Sequence, residues 1–276
     1  MSNATQAAEL SWPAPGIARI TLTRGETHNT LTQELLATLD GLLDETAAGG
    51  ARVLIVTGSG RTFCGGAQIT LFTDPASPLY RNARAVRDDY VEPVVRLFRR
   101  LRDAPFITVA AINGAAFGGG CELALSCDFR LMSETACIGL TEVRLGAVAG
   151  GGGVQSLARA VGQARALEIA LLGDQLTAAE ARACNLVSAV HSAAGLDEAA
   201  LTFARRFLLC SPIAVAETKR ALYRCQTMTP EEADRIALDG VLAAAAGDEW
   251  WEGMAAFVER RPAGFRMENP SNARSD

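Results

Sequence analysis

Residues 106–128 constrain this chain more than any other stretch. Residues 106–112, Phe-Ile-Thr-Val-Ala-Ala-Ile, are β-rich and almost wholly apolar, as suits a strand buried on both faces of a parallel sheet. Asn113-Gly114 breaks the run. Gly118, Gly119 and Gly120 then open an apolar helix with Glu122 in its first turn. A helix start leaves its first N–H groups without internal partners, and glycine lets another group approach them. Such a place attracts an oxyanion or a phosphate. The glutamate beside it is a candidate acid or base. The same residues also fit a tight turn with close packing and a glutamate that complements the helix dipole. Glu142, twenty residues on, is one of 31 acidic residues and decides little alone.

At 276 residues the chain is long enough for a full core, as one large domain or two small ones. A net charge of −5 argues against a nucleic-acid or anionic-membrane surface. No apolar run approaches the length of a membrane span, and the first residues lack the basic and apolar regions of a signal peptide. Seven cysteines without a C-x-x-C pair, set in apolar segments, suit reduced thiols in a cytoplasm. Cys121 beside Glu122 fits a small core residue better than a nucleophile. With two histidines, His28 and His191, and no H-x-x-x-H, no metal site is expected. No G-x-S-x-G elbow is present for a serine triad. Lys219 is the sole lysine.

After a polar start, residues 17–23 alternate as a strand, and Thr30 or Thr32 can cap the leucine-rich helix that follows. Residues 52–57 form a second strand of parallel type, leading into glycines 58, 60, 65 and 66. A strand thus runs into a glycine loop twice, about sixty residues apart, which predicts repeated β-β-α units. Residues 73–80 read as a loop or lid, and a helix runs from there to about 103. The arginines near its end (96, 99, 100, 102) suit a solvated face better than a phosphate site. Short strands are expected at 128–132, 136–140 and 185–190, helices at 154–172 and 177–184, and helix from 196 to the end. Trp250, Trp251, Met254 and Phe257 make the last helix too apolar for a free surface, so it packs on the core or on another subunit. The glycine spacings fail the dinucleotide fingerprint and the phosphate-loop pattern.

In order and spacing, several segments resemble the enoyl-CoA hydratase/isomerase, or crotonase, superfamily over nearly the whole chain. They are residues 20–31, 53–68 (ending Cys-Gly-Gly-Ala-Gln), 111–128, 139–146 (Gly-Leu-Thr-Glu-Val-Arg-Leu-Gly) and 173–187. The resemblance implies an α/β fold, a crotonase-like spiral of repeated β-β-α units with a C-terminal helical region used in trimerisation. A catalytic and CoA-binding domain would cover residues 1–198, with 199–276 serving assembly and pocket closure. It implies an acyl-CoA substrate whose carbonyl oxygen sits between the amides of Ala67 and Gly119. Thr27, His28, Gln68, Ile69, Thr70 and Gly118 fall on the CoA- and substrate-binding positions.

Glu122 and Glu142 fall on the positions of the family's two water-handling glutamates, which implies hydration of a 2-enoyl-CoA thioester or its reverse. Coenzyme A is then part of the substrate, and no separate cofactor is implied. The implied assembly is a homotrimer or a hexamer of paired trimers. Alternatives are a double-bond isomerase or other family reaction using Glu142 alone, and a non-catalytic acyl-CoA- or RNA-binding member. Gln68 stands where the family usually has Asp; Gly25 and Ala149 stand where it usually has Pro.

Overall fold

The computed structural model describes residues 6–265. The expected polar start and the last part of the expected C-terminal helix lie partly outside these residues. Six strands form the main sheet: β1 (Ala8–Ala14), β2 (Ile17–Leu22), β3 (Val53–Gly58), then β5 (Ile107–Ile112), β7 (Phe129–Ser133) and β10 (Ala189–His191), in that spatial order. All pairs are parallel except β1–β2. A second sheet holds β4 (Thr62–Cys64), β6 (Ala115–Phe117), β8 (Cys137–Gly139) and β9 (Leu176–Thr177).

The two sheets explain the β-β-α repeat. Three times, a strand of the main sheet (β3, β5, β7) passes through a turn into a short strand of the second sheet (β4, β6, β8). Successive turns of the chain therefore stack as a spiral, each adding one strand to each sheet. Asn113 ties one turn to the last: its Oδ1 accepts from the Gly58 amide at 3.0 Å, and its Nδ2 donates to the Gly60 carbonyl at 3.1 Å. The residue that ends the apolar run is also the clasp between turns.

Side-chain alternation divides the apolar run between two cores. Leu54, Val56, Ala110 and Ile112 enter the larger core. Val53, Ile55, Ile107, Val109 and Ala111 point the other way, onto Leu196, Ala200 and Ala204 of the Leu196–Phe207 helix. A period of two with both faces covered is what makes such strands read as unbroken hydrophobic runs.

β1 was not expected. Its residues are half exposed on a sheet edge, and Pro13 falls near its end, so it lacks the apolar signal of its neighbours. β4 and β6 were read as loop because three residues carry no periodicity. The last strand begins at Ala189, since Asn185 takes a left-handed conformation and turns the chain. Thr32, not Thr30, caps the Gln33–Ala48 helix by accepting from the Leu35 amide. Residues 74–82 form turns anchored by the buried side chain of Leu79. The helix to Asp103 contains a π-helical turn, Val86–Val91, before its α-helical part, Glu92–Asp103. Arg100 near its end pairs with Asp40 and Asp44, as a solvated face would.

Three helices close the described chain: Pro212–Arg224, Pro230–Ala245 and Asp248–Glu259. The first is pinned to the sheet by a buried ion pair, Lys219 Nζ to Asp128 Oδ2 at 2.7 Å. Lys219 also donates to the Phe106 carbonyl at 2.8 Å, and the Tyr223 hydroxyl and Thr108 amide both donate to Asp128. The sole lysine thus joins the C-terminal helices to the strands that carry the glycine-rich segment.

Candidate active site

Glu122 sits in the first turn of the Gly119–Ser126 helix, which follows β6 directly. Its side chain is buried among apolar residues, so its placement depends on the groups that meet its carboxylate. The Gly153 amide donates to Oε1 at 2.9 Å. A Cβ on Gly153 would stand 2.7 Å from Glu122 Cγ and 3.0 Å from Leu140 Cδ2, so only a residue without one lets the loop close over the acid. Gly151 lies equally close, with its Cβ position 2.8 Å from Oε2 and 3.1 Å from Phe98.

Glu142 approaches from the turn after β8, where it opens the short 3-10 helix Glu142–Leu145. A Cβ on Gly118 would stand 3.4 Å from its Oε1, so the carboxylate lies beside the start of the Gly119–Ser126 helix. Both its carboxylate oxygens are buried and have no hydrogen-bond partner among the described residues. Buried polar atoms are satisfied in nearly all native structures, so these two oxygens mark room for a water or a substrate. Burial pushes the Glu122 carboxyl up to about 7, the Gly153 and Gly151 amides oppose this, and the charge of Glu142 adds to it. Burial also raises Glu142. The charge of Glu142 thus works with burial to disfavour ionisation of Glu122.

The backbone segments of Ala67 and Gly119 lie side by side. Gly66 has φ +87°, and a Cβ there would stand 2.6 Å from the Phe117 carbonyl oxygen and 3.1 Å from the Gly119 nitrogen. A Cβ on Gly119 would stand 3.8 Å from the Ala67 nitrogen. Gly119 begins its helix, so its amide has no intrahelical acceptor. Gly120 has the plainer role: its α-carbon packs against the Cys64 carbonyl, whose oxygen would lie 1.9 Å from a Cβ.

The remaining predicted residues lie in the turn beside Gly65, directly after Ala67 and directly before Gly119. His28 ends the Gly25–Thr27 turn in a left-handed conformation, and its carbonyl accepts from the Gly65 amide at 2.8 Å. Thr27, His28, Ile69 and Thr70 are exposed, while Gln68 is half-buried and Gly118 buried. Gly25, where the family usually has Pro, gives its amide to Ser59 Oγ at 3.2 Å, a bond Pro could not make. Ala149 lines an apolar cavity of about 240 Å³ with Leu140, Glu142, Val148, Val154 and Ala166.

Sequence reasoning missed Gly151 and Gly153 as partners of Glu122. It also missed Leu31 and Tyr90: Leu31 bridges to Ala67, and Tyr90 donates to the Leu31 carbonyl.

Residues 14–268 match the family of enoyl-CoA hydratase/isomerase. A probable enoyl-CoA hydratase of Rhizobium meliloti is 36% identical over 253 residues, which cover 91% of this chain and 94% of that protein. The (E)-benzylidenesuccinyl-CoA hydratase of Thauera aromatica is 34% identical over 255 residues, covering 91% of this chain and 95% of that one. The crystal structure of the enoyl-CoA hydratase of Bacillus anthracis superposes with a TM-score of 0.87 at 31% identity, covering 95% of this chain and all of that one. With its spiral of β-β-α turns and this match along nearly its whole length, the chain belongs to the enoyl-CoA hydratase/isomerase family.

Proposed function

We propose that this chain adds water across the double bond of a 2-enoyl-CoA thioester, giving the 3-hydroxyacyl-CoA, and runs the reverse dehydration. The observation that carries this is Glu142: two buried carboxylate oxygens without a hydrogen-bond partner among the described residues, whose charge acts on a second buried glutamate. A water held between them gives its proton to ionised Glu122 while its oxygen bonds to Cβ. The displaced electron pair moves through Cα to the thioester oxygen, where the Ala67 and Gly119 amides receive it. Protonated Glu142 then delivers its proton to Cα, and the proton on Glu122 restores the starting state by passing to Glu142. Water adds to the enoyl thioester with no net change of oxidation state, so the step needs no redox cofactor; coenzyme A enters as part of the substrate. One oxyanion donor of this kind contributes about 3 kcal/mol in other enzymes.

Thr27, His28, Gln68, Ile69, Thr70 and Gly118 would take the coenzyme A portion. The cavity beside Glu142 and Ala149 suits an apolar acyl group. Relatives at similar identity are named for differing acyl groups, benzylidenesuccinyl and 2,3-dehydroadipyl.

One observation favours a second possibility. Glu122 is held by Gly153 and Gly151, whereas the Glu142 carboxylate has no hydrogen-bond partner among the described residues, so Glu142 alone could move a proton between carbons as an isomerase does. The test follows the loss of enoyl-thioester ultraviolet absorbance with crotonyl-CoA and longer enoyl-CoAs, for wild type, Glu122→Gln and Glu142→Gln. Loss of hydration in both variants supports the two-glutamate mechanism. A double-bond shift retained in Glu122→Gln sinks it in favour of the isomerase.

A homotrimer, or a hexamer of paired trimers, is also proposed. Its support is the last helix, where Trp251, Phe257 and Val258 stay exposed on the single chain. All seven cysteines are free, which suits a reducing cytoplasm. Among the described residues no single helix is long and apolar enough to cross a membrane.

A further inference from the structure

Tyr90 is buried, and its hydroxyl donates to the Leu31 carbonyl oxygen at 2.8 Å. A buried tyrosine needs some partner for its hydroxyl, and most such bonds only satisfy the core. What sets this one apart is where Leu31 lies. Its amide donates to the Gly66 carbonyl at 2.8 Å, and it forms a parallel bridge with Ala67. Its Cδ1 stands 2.7 Å from the Cβ position of Gly119. Leu31 is therefore wedged between the two segments that carry the amides of Ala67 and Gly119. The amide of Gln68, the residue after Ala67, also faces the phenol oxygen. One hydroxyl thus meets the carbonyl of the wedge and the segment that follows the first donor.

The elements on either side strengthen the link. Tyr90 belongs to the π-helical turn Val86–Val91, a form that concentrates at functional sites. Its ring meets Phe72 edge-on, with centroids 5.2 Å apart, and Phe72 lies in the short helix Thr70–Thr73 just beyond Gln68. Val91, the next residue, stands 2.9 Å from the Cβ position of Gly150, where the glycine run that encloses Glu122 begins.

We propose that Tyr90 is a positioning residue for the thioester carbonyl: its hydroxyl fixes Leu31, and through Leu31 the spacing of the Ala67 and Gly119 amides. This rests on the oxyanion role proposed above for those amides. Without the hydroxyl, the Leu31 carbonyl loses a donor and the wedge is free to shift. Donors prearranged for developing charge lose more in the transition state than in the ground state when they drift.

The test is Tyr90→Phe, which keeps the ring and its contact with Phe72. Purified variant and wild type are mixed with an arylacryloyl-CoA thioester, whose absorbance moves to longer wavelength when its carbonyl is polarised. Expected is a smaller red shift in Y90F, with kcat on crotonyl-CoA lower by about 10- to 100-fold and KM changed less than about threefold. Phe72→Leu loosens the ring but leaves the hydroxyl, and is expected to keep the red shift. A red shift and kcat unchanged in Y90F overturn the role of Tyr90 while leaving the oxyanion pair intact. An equal loss in F72L assigns the effect to packing and overturns it too. A wild type that binds the thioester with no red shift overturns the oxyanion assignment itself, and the role of Tyr90 with it. Should Y90F not fold, a ring-fluorinated tyrosine at position 90 keeps the packing and alters the acidity of the hydroxyl. A kcat change of about threefold or more then supports the proposal, and an unchanged kcat overturns it.

Discussion

The Gly153 amide donates to Glu122 Oε1 at 2.9 Å across 31 positions of the chain. The loop that supplies this bond approaches so closely that the Cβ position of Gly153 lies 2.7 Å from Glu122 Cγ. Gly153→Ala must therefore displace either the acid or the loop. Overpacking of this kind costs about 1–3 kcal/mol. The expected outcome is a lowered unfolding midpoint in urea together with a fall in kcat larger than the rise in KM. A variant with wild-type kcat would show that the position of Glu122 does not depend on this loop.

Glu122 also sets a pH dependence whose sign follows from burial. Its folded value of about 7 lies above the ordinary 4.5. Below the lower value the acid is protonated whether the chain is folded or not. Between the two, the folded chain holds a proton that the unfolded chain has released, so stability falls as pH rises through this window. Above about 7 the penalty is complete, on the order of 3 kcal/mol. Glu122→Gln removes it, so the variant should unfold at higher urea than wild type near pH 8 and at similar urea near pH 4. Activity runs the other way, because the proposed base must be ionised. The kcat/KM of wild type should rise through about pH 7, and the residual activity of E122Q should lack that limb.

Much of this architecture was legible in residues 106–128, because a strand buried on both faces cannot hide its apolar run and a glycine-opened helix announces its free amides. The strands β4 and β6 were harder, since three residues inside a glycine-rich stretch carry no period. The partners of Glu122 were not legible either. Nothing in the spacing of Gly150 to Gly153 says which side chain a loop will enclose. Tyr90 had still less signal: a tyrosine within an amphipathic helix looks like core, and only the folded chain places Leu31 under its hydroxyl. Contacts that depend on stacking one turn of the spiral on another are invisible to local pattern.

The ion pair that anchors the C-terminal helices should be costly to break from one side. The Lys219 and Asp128 side chains are only 7% and 8% exposed. Lys219→Met strands a buried carboxylate, for which about 3–5 kcal/mol is typical. Asp128 keeps donors from Thr108 and Tyr223, which places the loss toward the lower figure. The double variant Lys219→Met, Asp128→Asn should regain part of that loss in chemical denaturation. A double variant weaker than both singles together would mean that the pair does not act as a unit.

Phe257 and Val258 are 82% and 79% exposed on the last helix of the single chain. If another copy covers them, Phe257→Glu places a charge in an apolar contact. Multi-angle light scattering should then report a smaller assembly than for wild type, with the secondary-structure signal retained. An unchanged mass would remove this helix from the interface.

The two glycines at the meeting of the proposed donors should fail in different ways. Gly66 has φ +87°, and an added Cβ meets a backbone oxygen, that of Phe117, at 2.6 Å. Neither strain nor clash can be relieved by a side-chain rotation, so Gly66→Ala should cost about 1–3 kcal/mol or more in stability. Gly119 has no such conformational demand, and the nearest atom to an added Cβ is the Leu31 Cδ1, the end of a buried side chain that must repack, not backbone. Gly119→Ala should therefore cost less stability than Gly66→Ala. Yet its methyl would stand 3.8 Å from the Ala67 nitrogen, close to where the thioester oxygen is proposed to sit. Expected is a fall in kcat from the obstructing methyl, with a smaller loss of stability than for Gly66→Ala. Urea titrations and initial rates on the same preparations separate the two, and a Gly119→Ala enzyme as active as wild type would show that the thioester oxygen does not sit beside that α-carbon.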